Sequence, residues 1–280
     1  MFNKRNKIDI NKLIRTILLG LLSFLFISPL IWMVSAASKV EKDVMKFPIE
    51  WIPSEWNLIH NFKEVWFGAI PFDLYYFNSF KIALISTILT LLISSMAAYS
   101  FSKLNYRYKN VLFVFLMAFF LVPAETTLVP RFILINWLGL YDTHFGLILM
   151  LGFSIPITFL MRQFMLGIST EYIEAAKMDG AGYFRIYWQI IIPMVKPILA
   201  TAGILKFIWS WNDYQNPLIF LRSNELYTVT LGMQSFASEF GTNYAVIMMA
   251  AVSAILPLII VFVILQKHVI DGITMGGVKG

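Results

Sequence analysis

Residues 80–101 read Phe80-Lys81-Ile82-Ala83-Leu84-Ile85-Ser86-Thr87-Ile88-Leu89-Thr90-Leu91-Leu92-Ile93-Ser94-Ser95-Met96-Ala97-Ala98-Tyr99-Ser100-Phe101. One charge in this run, at its second position, leaves about 20 consecutive uncharged residues, the length a helix needs to cross a bilayer. A helix is the form required, because a spanning segment must satisfy its own backbone hydrogen bonds. Working outward from this run, five further segments of the same kind are found at about 14–34, 111–129, 145–165, 195–211 and 244–265.

Composition agrees with six crossings. Of 280 residues, 59% are apolar and 14% charged, against roughly 45–50% and about 25% in soluble domains. A water-soluble globular enzyme is excluded, and so is a disordered chain, since 16% of residues are aromatic. The fold class expected is all-α, a polytopic membrane bundle forming a single domain over residues 1–280. Its N-terminal span is 14–34 and its five-helix core covers about 78–266. The first span could be read as a signal peptide, with Ser35-Ala36-Ala37 as a small-residue cleavage site. Its uninterrupted apolar run from 17 to 34 exceeds the ~7–15 residues of a signal core, so a retained helix is expected. Pro123, Pro156 and Pro257 fall within or near spans, which predicts bent helices in a packed bundle. Residues 217–221 are too short to span, and either extend the fifth span or form a re-entrant turn.

Orientation follows from the basic residues. Alternate loops on one side carry Lys4, Arg5, Lys7, Lys12, Arg15, Lys103, Arg107, Lys109, Arg162, Lys177, Arg185, Lys196, Lys267 and Lys279; the other side carries only Lys39, Lys42, Lys46, Lys63, Arg131 and Arg222. The positive-inside rule therefore places both termini in the cytoplasm. Trp32, Trp137, Trp209 and Trp211 fall near outer span ends, as an aromatic belt would. There is no cysteine, so disulfides, Cys-ligated zinc and thiol chemistry are absent; His60, His144 and His268 have no metal-ligand spacing.

The cytoplasmic connector 166–193 is unusually structured. Ser169 is placed to cap a helix and Glu171 lies in its first turn. Glu174-Ala175-Ala176-Lys177 are good helix formers, and Gly180 is placed to end the helix in a left-handed conformation. A second amphipathic stretch, 183–192, leads to Pro193. The result is a short helix–turn–helix outside the bilayer, readable either as an interfacial anchor or as a docking element whose paired alanines permit close helix approach.

Glu174-Ala175-Ala176, three residues, Gly180, nine residues, then Ile190-Ile191-Ile192-Pro193 resembles the EAA loop of ABC-importer permeases, departing only in Ile192 where the pattern has leucine. Met161-Arg162-Gln163-Phe164, Lys177-Met178-Asp179-Gly180-Ala181, Asn78-Ser79, Ala98-Tyr99, Trp211-Asn212-Asp213-Tyr214 before Asn216-Pro217-Leu218, and the tail Gly276-Gly277-Val278-Lys279-Gly280 are similar to the carbohydrate, maltose-type branch. Ser169 stands where many relatives have proline, which should alter the helix entry but not the docking. The resemblance runs from the first span to the C-terminus. It implies a six-span permease subunit of a sugar importer in a bacterial or archaeal cytoplasmic membrane, paired with a second permease, two ATPase subunits and an extracytoplasmic sugar-binding protein. Glu171, Glu174, Ala175, Ala176, Asp179 and Gly180 would couple to the ATPase, and Gly276, Gly277 and Lys279 of the tail 267–280 are candidate contacts. No cofactor is expected here. The sequence holds no G-x-x-x-x-G-K-[ST] phosphate loop, so Mg-ATP would be bound and hydrolysed by the partner.

Intramembrane charge points to a transport path. Lys206 lies about nine residues, or ~14 Å, into the fifth span, near the middle of a ~30 Å core. Trp209 at i+3 and Asp213 at i+7 are expected on its face. With Asn212, these residues form a candidate sugar path, an indole for stacking and polar groups for hydroxyls; alternatively, Lys206 only lines a hydrated cavity and Trp209 belongs to the belt. Competing functions are an ABC permease for another solute, a membrane scaffold, or an ion-coupled secondary transporter. The last predicts acids paired within spans, and Glu125 beside Pro123 is the only candidate.

Overall fold

The computed structural model describes residues 10–239, 241 and 243–277. Along the chain run α1 (Ile10–Ala37), α2 (Glu41–Val44), α3 (Leu58–Phe67), α4 (Phe72–Lys103), α5 (Lys109–Phe120), a 3-10 turn (Ala124–Thr127), α6 (Leu128–Trp137), α7 (His144–Leu151) and α8 (Ile155–Leu166). They are followed by α9 (Glu171–Met178), α10 (Tyr183–Ile186), a π-helical turn (Tyr187–Ile191), α11 (Ile192–Met194), α12 (Lys196–Trp211), α13 (Gln215–Phe220), a 3-10 turn (Asn224–Leu226), α14 (Val229–Glu239) and α15 (Tyr244–Gly277). Among the described residues there is no strand, and the only β-bridge is Lys39–Trp56. The all-α membrane class read from the sequence is the fold observed. Three helices, α1, α4 and α15, are long and apolar enough to cross a membrane, and three bent helix pairs qualify together, giving up to six crossings.

The chain forms two compact units. The first comprises residues 1–70 and 233–254. Its core joins Trp32 and Ala36 of α1, Val44 of α2, and Ala245 and Met248 of α15. The excursion after α1 is stapled internally: the Lys39 ammonium is buried and donates to the Glu50 carbonyl, and Glu41 Oε2 accepts from the Ala245 N–H at 2.8 Å.

The second unit, residues 71–232 and 255–280, is built around α4. This helix begins at Phe72, earlier than the apolar run alone indicates, and buries a row of hydroxyls one turn apart. Ser86 meets Ser210 of α12 at 3.1 Å, Thr90 donates to the Leu151 carbonyl at 3.0 Å, and Ser94 donates to the Ser154 carbonyl at 3.4 Å. The last two acceptors lie at the break between α7 and α8. Thr90 thus satisfies the Leu151 carbonyl that the break sets free, while the Ser154 carbonyl also accepts from Thr158 of α8.

Four expectations need correction. The third span is not one helix over 111–129: α5 stops at Phe120 and the following pieces turn by 96°. Pro123 has no N–H for the Phe119 carbonyl, which instead receives Val122 N–H at 3.2 Å in a tightened last turn. In the fourth span Pro156 does not kink a helix from within. It sits in the first turn of α8, capped by Ser154, after a 40° break. The fifth span ends at Trp211, so Asp213 is not on the helix of Lys206; residues 217–221 belong mainly to α13, a separate short helix. Trp211 is not a belt residue: it is buried, stacked on Phe207 with centroids 5.9 Å apart and edge-on to Tyr76 at 5.3 Å.

Candidate functional site

The 166–193 connector. The helix–turn–helix expected in 166–193 is present. Its first helix is α9, entered through Thr170; Ser169 lies one residue earlier than a capping position, and its hydroxyl accepts from the Glu171 N–H at 3.2 Å. Gly180 has φ +77°, the left-handed conformation expected of it. Ala181 N–H reaches the Ala176 carbonyl at 2.9 Å and Gly180 N–H the Lys177 carbonyl at 3.0 Å, the paired bonds of a Schellman closure. Across the turn the Lys177 ammonium lies 5.1 Å from the centroid of the Tyr183 ring.

The two alanines face opposite ways. Ala176 is buried with Ile173 in a core that also takes Ala98 and Tyr99 of α4, Met161 and Met165 of α8, and Ile186, Tyr187 and Ile191. Ala175 is exposed, as are Glu171, Tyr172, Glu174, Lys177, Asp179 and Gly180. Met178 is 88% exposed, and Tyr183 and Phe184 are exposed beyond the turn. An outward surface that is part acidic and part apolar, on a short helix fixed from behind, is the form of a docking element.

The second arm holds a feature the sequence did not disclose, the π-helical turn over Tyr187–Ile191. Pro193 two residues on gives no N–H to the Gln189 carbonyl and crowds it, which favours the wider turn. Tyr187 is buried there, its hydroxyl 2.7 Å from Ser95 Oγ of α4. The 166–193 connector is thereby tied to α4 by a buried hydrogen bond as well as by apolar contact.

Gly180→Val is expected to strain the turn by ~1–2 kcal/mol, since a β-branched residue resists positive φ. Gly180→Ala should cost less, because its Cβ would meet nothing within 4 Å. Gly182→Ala, with φ −74° and equally open space, should be silent. Thermal unfolding and solute uptake of the three variants check the ordering; equal behaviour of Gly180→Val and Gly182→Ala would remove the turn from the argument.

Span-five polar group. Lys206 is 6% exposed and Trp209, at i+3 on the same continuous helix, is 48% exposed. Of the expected stripe, only Asp213 lies beyond the end of α12. Asn212 ends the helix, its side-chain amide donating to the Ile208 carbonyl at 3.0 Å. Asp213 accepts from Asn216 twice, at 3.2 Å from its N–H and 2.7 Å from its side-chain amide. Arg131 of α6 donates to Asn216 Oδ1 at 3.2 Å, extending the chain of contacts. Arg131 and Asn216 were not among the expected site residues; only the fold brings them to Asp213.

Outer-loop anchoring. Asn78 Nδ2 donates to the carbonyls of Glu225 and Tyr227 at 2.8 and 3.0 Å, and Ser79 Oγ accepts from Val229 N–H at 2.7 Å. Asp142, at φ +56°, accepts from Ser223 Oγ at 2.6 Å and from the N–H groups of Ser223 and Arg222. The Ser223 hydroxyl, followed by these backbone donors, holds the Asp142 carboxyl below the usual carboxylate range. The clamp is therefore in place at neutral pH and is lost only as pH falls through that lowered value. Of the tail candidates, Gly276 and Gly277 end α15, and Lys279 lies outside the described residues.

Comparisons. The family described as binding-protein-dependent transport system inner membrane component matches residues 90–274. The arabinooligosaccharides transport system permease protein AraQ of Bacillus subtilis is 32% identical over 281 residues, covering 100% of both chains. The lactose transport system permease protein LacG of Rhizobium radiobacter is 33% identical over 261 residues, 93% of this chain and 94% of that one. Among solved structures, a chain of a bacterial ABC transporter involved in the import of the acidic polysaccharide alginate superposes with TM-score 0.82 at 26% identity, covering 95% of this chain and 99% of that one.

Proposed function

The chain belongs to the family of binding-protein-dependent transport system inner membrane components, and from that membership we propose that it forms half of the translocation path of a sugar importer. A second permease would supply the other half. Two ATPase subunits would dock on the α9 turn, and an extracytoplasmic binding protein would deliver the sugar. ATP and Mg would be held by the ATPase subunits and not by this chain, which acts as one permease domain.

The observation that carries the reading is α9 itself: Ile173 and Ala176 lock it to the bundle while Glu171, Tyr172, Ala175 and Met178 are left outward. An interfacial anchor favours Lys and Arg on its polar face, whereas α9 sets the acids Glu171, Glu174 and Asp179 beside its exposed apolar side chains, which supports a protein partner. Closure of a partner ATPase pair pushing on α9 would be passed to α4 through Tyr187–Ser95 and to α12 through the π turn. The relatives' names support a sugar as the solute class.

With both termini cytoplasmic, α9 lies inside and α3 outside. The chain has no native cysteine, so single cysteines report cleanly. His60→Cys should react with an impermeant maleimide on intact cells, and Thr170→Cys only after permeabilisation; both positions are exposed. Labelling of residue 170 from outside would reverse the orientation and end the ATPase-docking reading.

A further inference from the structure

Helix α3 divides its surface into three sectors. At ~100° per residue, Asn61 and Val65 fall together and are buried. Leu58, Ile59 and Phe62 form the adjoining sector, apolar yet outward, with Ile59 72% and Phe62 44% exposed. Trp66 falls within that sector but is half-buried, its Nε1 donating to Ser253 Oγ at 3.2 Å, and His60, Lys63, half-buried Glu64 and the 80% exposed Phe67 complete the circle. A helix packed on a soluble core needs only the first and third sectors. An outward apolar sector bordered by a lysine is the pattern of a helix lying in a membrane surface.

The depth of α3 is fixed independently. Asn61 Nδ2 donates to the carbonyl of Ala37, the last residue of α1, and to that of Lys39, both at 2.9 Å. Asn57 N–H donates to the Ser38 carbonyl at 2.8 Å, and Lys39 bridges to Trp56. Thus α3 is bound to the point where α1 ends. The uncharged run of α1 continues past Ala37 to Ser38, and the first charge after it is Lys39. The end of α1, and α3 with it, therefore lies at the edge of the hydrocarbon core.

Beside the apolar sector an open groove of about 570 Å³ is lined by Trp56, Asn57, Leu58, Ile59, His60 and Lys63. Its lining includes Leu58, Ile59 and the Lys63 ammonium, for which no ion pair is found among the described residues. Tryptophan, aliphatic side chains and a lysine together suit the boundary between acyl chain and phosphate.

We propose that α3 and Trp56 form a lipid-binding interfacial element, with Leu58, Ile59 and Phe62 among the outermost acyl carbons and the Lys63 groove holding a phospholipid headgroup. This rests on α1 crossing the membrane and not on which solute is carried. The element sets the height of the first unit against the bilayer.

The test uses the full-length chain, purified with its accompanying subunits in phosphatidylcholine–phosphatidylglycerol nanodiscs, with a nitrobenzoxadiazole label on single cysteines at Ile59, Phe62 or Glu64. Labels at 59 and 62 should emit to the blue of that at 64 and be quenched several-fold more by lipid spin-labelled near the headgroup. The two apolar sites serve as duplicates should one variant fail to assemble. Water-like emission and equal quenching at all three sites would overturn the proposal. So would labels at 59 and 62 shielded only on adding the sugar-loaded binding protein, which would make the face a protein-docking surface. Uptake measured on the same variants separates the questions, since normal uptake with water-like labels discards the lipid site and leaves transport standing.

Discussion

Replacing Ala175 by tryptophan is expected to leave the chain in the membrane at its normal level and to reduce sugar uptake at least ~10-fold, a loss of ~1.4 kcal/mol or more in productive docking. Ala175 is exposed on α9, so an indole there meets nothing of this chain, but it holds an ATPase groove away from the helix. Ala176→Trp should behave differently. Ala176 is packed in the core shared with Met161, Met165, Ile186 and Tyr187. Overpacking such a site costs typically ~1–3 kcal/mol, so less chain should reach the membrane and its unfolding temperature should fall. The measurement is uptake per permease together with ATPase co-purification for each variant. If Ala175→Trp transports normally and retains its ATPase, α9 is an anchor rather than a coupling helix. If both variants lose membrane level alike, the division of the two alanines is wrong.

Much of this was legible in the sequence, for identifiable reasons. Apolar run length marks α1, α4 and α15 because lipid forbids any alternative to an unbroken helix there. The α9 turn was legible because Gly180 has a conformational demand that only the local chain sets. What could not be read depends on non-local partners or on helix type. The breaks after Phe120 and Leu151 leave the apolar pattern unchanged, and the second is made tolerable by Thr90 on a distant segment. A π turn and an α turn bury nearly the same residues over 187–191, so periodicity does not separate them. Asn78 and Ser79 were noticed only as a resemblance; their reason is the 225–229 loop they hold. Asp213 could not be placed on the Lys206 face by spacing, because i, i+7 holds only while a helix continues and α12 stops at Trp211.

Lys206→Leu is expected to insert as well as the parent or better, yet to transport at least ~10-fold more slowly. The ammonium is buried on α12, one turn before the Ser210–Ser86 contact, and no hydrogen bond or ion pair is found for it among the described residues. Asp213 is near enough to act on it electrostatically, but forms its hydrogen bonds with Asn216 and no ion pair with Lys206. A central lysine costs ~2.5–3.5 kcal/mol on insertion scales. A charge held at that cost with so little local compensation is best explained by a partner present only in the working transporter, such as sugar hydroxyls and water in the path. Leucine removes the cost and the function together. Trp209→Ala, on the outward face, should leave membrane level unchanged and weaken uptake less, since it removes stacking but no charge. Asp213→Asn removes the counter-charge and, because an amide NH2 cannot accept, one of the two bonds from Asn216 as well, so its effect should fall between the two. The deciding quantity is uptake normalised to permease level. Wild-type uptake by Lys206→Leu, with raised stability, would make this lysine a tolerated burial and move the path to another face of α12.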